Sequence, residues 1–260
     1  MPQIPNSQFL IPFTLHLADN ALILGQRNAA WCGHGPVLEQ DIALTNISLD
    51  LIGQARNFYQ YAAELINKTN PGDTATEDTL AYLRTEREFR NCLLTEQSNG
   101  DWGQTVLRQF FFSVYQSLLF QQLQNCKDEQ IAAIAAKSLK EVTYHVRWSS
   151  EWVIRLGDGT EESHDRMHHA VSELWTYTGE LFEPASYETD FFQSMLENDI
   201  SPMKTEWLQK VKSIFEEATL AIPEKVFMQK GGKEGIHTEQ LGYILAELQY
   251  LQRAYPGAEW

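Results

Sequence analysis

The chain has 260 residues, of which 43% are hydrophobic and 12% aromatic, so it can bury a large core, and one domain over residues 1–260 is expected. Its 35 acidic residues outnumber 20 basic ones, and the net charge of −15 disfavours nucleic-acid phosphates and anionic lipid surfaces as partners. The three cysteines are widely spaced and form no C-x-x-C pair, which predicts a cytoplasmic protein without disulfides or a thiolate zinc site. No apolar run approaches the roughly 18 residues that span a bilayer, so no membrane helix is expected.

Apolar residues recur at three- and four-residue steps along most of the chain, which is the periodicity of amphipathic helices. The second predicted helix, 36–67, would be roughly 45 Å long, a length typical of large bundles. No sustained alternation of apolar and polar residues indicates strands, and the glycine-rich stretch 231–235 is interpreted as a connector. The pattern therefore predicts an all-α protein. Its expected helices cover 13–31, 36–67, 77–97, 102–125, 128–156, 160–182, 202–220 and 238–254.

Long helices in a bundle are also the setting of di-iron carboxylate sites, in which two helices each give a Glu and two others each give Glu-x-x-His. Two histidines of this chain follow a glutamate at that spacing, His164 after Glu161 and His237 after Glu234. The first pair lies in the opening turn of a predicted helix and the second in the glycine-rich connector. Neither is expected to bind metal, so the chain is predicted to hold no metal and no other cofactor.

A different polar pattern lies in the middle of two long predicted helices. Glu141 and His145 are four residues apart and share a helix face, and Asp50 belongs to a polar stripe on the second helix. Two interpretations stay open. The groups are either ordinary pairs on a solvated face or a metal-free polar core, derived from a metal site, in which Asp50, Glu141 and His145 pair with one another.

Arginines are concentrated within the predicted third helix, a local excess of positive charge in an acidic chain. Arg84, Arg87 and Arg90 recur every three residues and would lie along one side of that helix. They either pair with neighbours such as Glu86 and Glu88 or contact an anion, since guanidinium groups bind phosphates in a bidentate fashion.

Five segments of the chain resemble the C subunits of phenylacetyl-CoA epoxidases. They are LADNALILGQR, WCGHGPVLEQDIALTNISLDLIGQARNFYQYAAEL, EDTLAYLRTEREFRNCLLTEQ, KSLKEVTYHVRWSSEWVIRLGDGT and GGKEGIHTEQLGYILAELQYLQR. The resemblance runs from about residue 14 to Trp260, nearly the whole chain. It implies a ferritin-like helical bundle with long core helices and additional C-terminal helices.

The same resemblance implies a function. The C subunit of that family is a non-catalytic structural subunit, and the complex epoxidises the aromatic ring of phenylacetyl-CoA during aerobic phenylacetate breakdown. The resemblance therefore implies a catalytic A subunit that holds the di-iron centre, a separate reductase subunit that supplies electrons, and phenylacetyl-CoA bound at the subunit boundary.

Two short segments are the candidates for contact with the coenzyme A portion of the substrate. The first lies within RTEREFRN, where the family's C subunit is similar, and the second follows Pro184. The candidate residues are Glu88, Phe89, Arg90 and Asn91 in the first segment and Thr189, Asp190 and Phe191 in the second.

Two other functions compete with the structural role. An independently active di-iron oxidase or oxygenase would use Asp50, Glu141 and His145 with further ligands, and near-stoichiometric iron in the purified chain would favour it. A freestanding acyl-CoA-binding module would hold phosphates on the arginine face, and affinity of the lone chain for phenylacetyl-CoA would favour that function.

Overall fold

The computed structural model describes residues 7–196 and 201–258, and the predicted all-α fold is confirmed there. Within those residues the β-type pairing is limited to an isolated bridge between Pro71 and Asp73. None of the described helices is long and apolar enough to cross a membrane.

The α-helices are α1 (Ser7–Ala29), α2 (Leu38–Thr69), α3 (Glu77–Tyr82), α4 (Leu93–Glu96), α5 (Trp102–Leu123), α6 (Glu129–Gly157), α7 (Glu161–Leu174), α8 (Ser186–Phe191), α9 (Ser201–Glu217), α10 (Glu239–Leu248) and α11 (Tyr250–Ala254). Turns of 3-10 type lie at Glu86–Glu88, Trp175–Tyr177, Gly179–Phe182 and Gly232–Glu234, and a π-helical turn at Phe192–Leu196.

Four long helices, α1, α2, α5 and α6, form a ferritin-like bundle. α1 packs along α2, α5 packs along α6, and α2 contacts α6. Additional helices surround these four: α8 lies on α1, while α7 and α9 pack against α5. Because α6, α7 and α9 cover α5, this helix is buried over most of its circumference, and Phe110, Phe111 and Phe112 are all buried.

The long periodic segments form helices close to their predicted bounds. The predicted helix over 102–125 is α5 and that over 128–156 is α6. Each begins after an aspartate, Asp101 or Asp128, whose carboxylate accepts a backbone N–H of the first turn at 2.9 Å. These carboxylates satisfy N–H groups that have no partner inside the helix, which explains why the helices begin there.

The predicted third helix over 77–97 is wrong. α3 ends at Tyr82, and extended backbone lies between the turn at 86–88 and the four-residue α4. Phe89 and Leu94 fit a helical pattern in the sequence, yet both enter the core from this less regular segment. The segment can do without continuous helical hydrogen bonds because side chains from other elements bond its backbone, as described below.

Two other predicted helices are interrupted. The prediction over 160–182 holds for α7, but the chain then continues as 3-10 turns. A Cβ atom at Gly179 would lie 2.7 Å from the side chain of Met228, so this turn packs closely against the connector that precedes α10. The prediction over 238–254 is divided into α10 and α11 at Gln249, whose side-chain amide donates to the backbone carbonyl of Arg84 at 2.9 Å.

Candidate substrate-contact site and polar core

The extended segment 89–92 is held by polar side chains on one face of α1. Asp19 accepts the backbone N–H of Arg90 at 2.8 Å, and His16 Nδ1 donates to the Arg90 carbonyl at 2.7 Å. Asn20 accepts the N–H of the last residue of the segment at 2.8 Å. His16, Asp19 and Asn20 are spaced three and four apart, so they share a helix face. Side chains of α1 thus take the place of a neighbouring strand or a helical turn.

Asp19 also forms a buried ion pair with Arg84. The Arg84 guanidinium binds both carboxylate oxygens, and the Tyr59 hydroxyl donates to the same carboxylate at 2.5 Å. Burial disfavours the guanidinium charge, but the interactions with Asp19, Tyr59 and Glu88 together outweigh that effect and raise the pKa of Arg84. Arg84 therefore lies inside the protein and is neutralised there. The predicted stripe of three arginines along one helix face is wrong, because this segment is not one helix.

Arg90 and Glu88 are the members of the first candidate segment that reach the surface. Arg90 is half-buried, and its guanidinium lies 5.5 Å from the centre of the Tyr187 ring. Glu88 is exposed and accepts both the backbone N–H and the hydroxyl of Thr85 at 2.7 Å. The hydrogen bond from the Thr85 N–H lowers the pKa of Glu88. One cation and one carboxylate thus stand beside each other at this edge of the bundle.

Phe89 and Asn91 point inward. The Phe89 ring is fully buried, with the Arg84 guanidinium 4.2 Å from its centre. Asn91 is also fully buried, and its amide donates to Glu96 at 2.8 Å. These two candidates support the segment from within and do not form its outer surface.

The second candidate segment belongs to α8. Phe191 is buried and stacks on Phe13 of α1, with ring centres 3.8 Å apart. Asp190 is exposed, and Thr189 is half-buried with its hydroxyl donating to the carbonyl of Ala185 at 3.3 Å. Because α8 packs on α1, the fold brings this segment close to the first one.

Lys233, in the glycine-rich stretch 231–235, links the two segments. Interpreting that stretch as a connector does not predict this contact. The ammonium group of Lys233 lies 3.0 Å from Glu188 of α8 and donates to the Glu183 carbonyl at 3.1 Å. Its own carbonyl accepts from Arg90 at 3.4 Å. Burial disfavours the ammonium charge, but Glu188, Cys92 and Glu180 together outweigh it, so the pKa of Lys233 is raised. The sequence signal that could have indicated this contact is the presence of charged residues among the glycines of the loop.

The glycines of this loop permit its close approach to the candidate segment. A Cβ at Gly232 would lie 2.3 Å from the Asn91 carbonyl oxygen. Gly235 has φ +79°, and a Cβ there would lie 2.3 Å from the Arg87 carbonyl oxygen. Larger residues would force the loop away from the segment, so the loop is part of the site's framework.

His237 follows in the same loop and pairs with Glu96 instead of acting with Glu234. Nδ1 lies 2.8 Å from Glu96 Oε2, and Nε2 donates to the Phe89 carbonyl at 3.0 Å. Because both acceptors are oxygens, both ring nitrogens donate and the imidazole is charged. Burial opposes that charge, but the hydrogen bond and charge of Glu96, the Phe89 carbonyl and the Asp19 charge together outweigh it, and the pKa of His237 is raised.

The structure places the residues of the proposed polar core in two hydrogen-bonded groups. His145 Nε2 donates to Asp50 at 3.0 Å, and Glu141 accepts from Gln54 at 2.9 Å. Gln54 in turn accepts from Gln116 of α5 at 3.0 Å. The two glutamines were missed, since an amide in an apolar helix carries no distinctive spacing signal. His145 is fully buried, but the Asp50 side chain is 35% exposed, so the group reaches the surface.

The donor set of this polar core does not fit a di-iron centre. It offers one imidazole, two carboxylates and two neutral amides, whereas such centres use four carboxylates and two histidines on four helices. In the described parts of the chain, no group of three or more His, Cys, Asp or Glu side chains could hold a metal ion.

Comparison with known proteins confirms the resemblance that the sequence segments indicate. Residues 2–260 match the family described as phenylacetic acid catabolic protein. A curated relative, the C subunit of the 1,2-phenylacetyl-CoA epoxidase of Escherichia coli (strain K12), is 47% identical over 251 residues, which are 96% of this chain and 99% of the relative. The chain therefore belongs to the phenylacetic acid catabolic protein family.

Proposed function

We propose that the chain is the C subunit of a 1,2-phenylacetyl-CoA epoxidase and serves as the structural partner of a catalytic, di-iron A subunit in phenylacetate catabolism. The observation that carries this proposal is 47% identity to such a subunit over nearly the full length of both chains. The donor set of the polar core supports the structural role, because two of its members are amides where a di-iron site would require carboxylate or imidazole ligands.

We further propose that the edge formed by 88–91 and 189–191 contacts the coenzyme A portion of the substrate. Arg90 supplies a guanidinium for a phosphate group, and the Glu88 and Asp190 carboxylates accept hydrogen bonds from amide or hydroxyl groups of the ligand. The buried members Phe89, Asn91 and Phe191 keep the backbone in place. Support comes from the proximity of the two segments and from the partial exposure of Arg90.

Co-purification with the A subunit, with iron analysis of each chain and of the complex, tests the structural role. A stable complex with iron bound by the A subunit, and epoxidation only after mixing, is the expected result. Near-stoichiometric iron in the lone chain would instead favour an independent di-iron oxygenase. A failure of the two chains to associate would contradict the proposal.

The substrate contact is tested separately by Arg90→Glu in the assembled enzyme. Charge reversal at a phosphate contact should raise the KM for phenylacetyl-CoA by about tenfold or more, with a smaller change in kcat. Arg147→Glu is the matched control, because Arg147 is an exposed arginine on α6 whose partner is Glu151. An unchanged KM in the Arg90 variant would remove Arg90 from the site. Affinity of the lone chain for phenylacetyl-CoA would favour the acyl-CoA-binding module.

A further inference from the structure

One face of α2 carries a row of apolar side chains that point to solvent. Leu38 is 71% exposed, Ile42 51% and Leu49 61%, and Val37, just before the helix, is 52% exposed. Steps of four and seven residues place Leu38, Ile42 and Leu49 on one side of the helix. Single exposed apolar residues are common, but a periodic row of them on a bundle helix indicates a contact surface.

Gly53 extends this row by one further turn. It is exposed, and a Cβ atom added there would meet nothing within 4 Å. The row from Leu38 to Gly53 is therefore about 22 Å long at the helical rise. A missing side chain at its end lets another backbone approach closely. We call Val37, Leu38, Ile42, Leu49 and Gly53 the α2 face.

The outward side of α6, the helix beside α2, is different. It exposes Lys137, Lys140 and Arg147, with the partly exposed Tyr144 between them. That composition is typical of a solvated helix surface. The apolar row thus distinguishes α2 from the outward side of α6.

Charge along the edge of the α2 face restricts what can cover it. Glu39 and Asp50 lie about three turns apart on the same edge of the row, and both are at least partly exposed. The exposed Arg56 stands at the end of the row, where Glu77 pairs with it. A second copy packed by two-fold symmetry would bring this acidic helix against itself, with a net charge of −15 on each chain. A different subunit with basic residues beside an apolar helix would complement it.

We propose that the α2 face docks a long helix of the catalytic subunit of the epoxidase, one that is apolar along its contact line and carries lysine or arginine at its edge. The inference rests on the proposed function, which requires such a partner, and adds the surface through which the chain binds it. The length of the row favours a helix lying along α2 over a loop that touches it at one point.

The test is assembly of an Ile42→Lys, Leu49→Lys double variant with the catalytic subunit, followed by calorimetry or light scattering. Both side chains are more than half exposed, so the isolated chain should keep its helical circular dichroism and its unfolding midpoint. Its dissociation constant from the complex should rise by at least about tenfold, because charges would be buried in an apolar contact. Phe227→Lys is the control, since Phe227 is 78% exposed and lies in the connector between α9 and α10.

Each outcome decides a separate point. If the wild-type chain assembles and the double variant assembles equally well, the α2 face is not the docking surface, although the proposed function stands. If the wild-type chain does not assemble at all, the proposed function itself fails. If the lone wild-type chain is a dimer that the double variant converts to a monomer, a second copy covers the face and the inference of a different subunit is wrong.

Discussion

Two polar clusters lie inside this bundle, and they are organised differently. The cluster around segment 89–92 contains three ion pairs whose members are almost completely buried, Asp19 with Arg84, Glu96 with His237 and Glu188 with Lys233. The polar core between α2, α5 and α6 contains the pair of Asp50 with His145, next to neutral amides.

The difference shows where the fold places its buried charge. In the first cluster, each carboxylate also accepts hydrogen bonds from backbone N–H groups, so charge replaces missing secondary structure. In the polar core, the backbone is helical and needs no such support. Atoms there without a protein partner are His145 Nδ1 and Gln116 Oε1, and the first cluster has one such atom, Asn91 Oδ1. The first cluster therefore determines the local chain path, whereas the second one does not.

The largest expected effect comes from Asp19→Asn. Loss of the carboxylate charge would leave the Arg84 guanidinium buried without a counter-ion, so the free energy of unfolding should fall by about 3 kcal/mol. Urea denaturation followed by circular dichroism measures it. Glu64→Gln is the control, because Glu64 pairs with Lys68 on the exposed surface of α2 and its removal should cost less than about 1 kcal/mol. Equal losses of unfolding free energy in both variants would contradict the conclusion that buried charge stabilises the first cluster.

A slightly smaller effect is expected for Lys233→Met, which would leave Glu188 buried and charged at a cost of about 2 to 3 kcal/mol. Adding Glu188→Gln should recover part of this loss, since the amide removes the unpaired charge and still accepts from the Ala185 N–H, now bonded at 2.8 Å. Chemical denaturation of the two single variants and the double variant gives the coupling free energy. Additive losses would show that the two side chains do not act as a pair.

The third prediction concerns pH. The raised pKa of His237 means that its pairing with Glu96 stabilises the fold fully below the unfolded value near 6.5, and that this contribution is lost as pH rises through the folded value. The stability difference between wild type and His237→Gln, measured by urea denaturation, should therefore shrink as pH increases from about 5.5 to about 8.5.

His16 provides the opposite sign in the same cluster, because burial lowers its pKa. Its contribution is present above the unfolded value near 6.5 and is lost as pH falls through the folded value. The stability difference between wild type and His16→Gln should thus decrease toward acidic pH. Parallel pH profiles for the two variants would contradict the assignment of charged His237 and neutral His16.

The smallest effect is expected for Asp50→Asn, the same chemical change as Asp19→Asn but in the polar core. Because the Asp50 side chain is 35% exposed, water compensates for the lost pairing with His145, and the free energy of unfolding in urea should change by less than about 1 kcal/mol. A loss as large as that of Asp19→Asn would show that the polar core also depends on buried charge.

The sequence predicted helices most accurately where the apolar periodicity of a segment is enough to specify the helix. α2, α5 and α6 have long apolar periodicity, and the capping aspartates 101 and 128 mark two of their starts. It failed at 83–97, where a helical apolar pattern and helix-compatible residues predicted continuation. There, His16, Asp19 and Asn20 of α1 bond the extended backbone, and no local pattern reveals a hydrogen bond to residues more than 70 positions away.

The candidate site divides in the same way. The resemblance placed it at two segments separated by about 100 residues, and Arg90 and Asp190 could be named without coordinates. Which candidates point outward could not be predicted, because adjacent residues of an extended segment face opposite sides and the buried side depends on what packs against it. Lys233 was missed for a related reason: a charged residue in a glycine-rich loop becomes a buried partner only when the loop closes over the segment.

The sequence by itself determined the helical class, the length and position of the main helices, and the family, since all three depend on local periodicity or on residues in linear order. Tertiary structure alone decided that segment 89–92 is extended, that Arg84 is internal while Arg90 is half-exposed, and that one side of α2 remains apolar and open to solvent. These features depend on which distant side chains satisfy a backbone group or cover an apolar face, and that information is present only after the helices have packed.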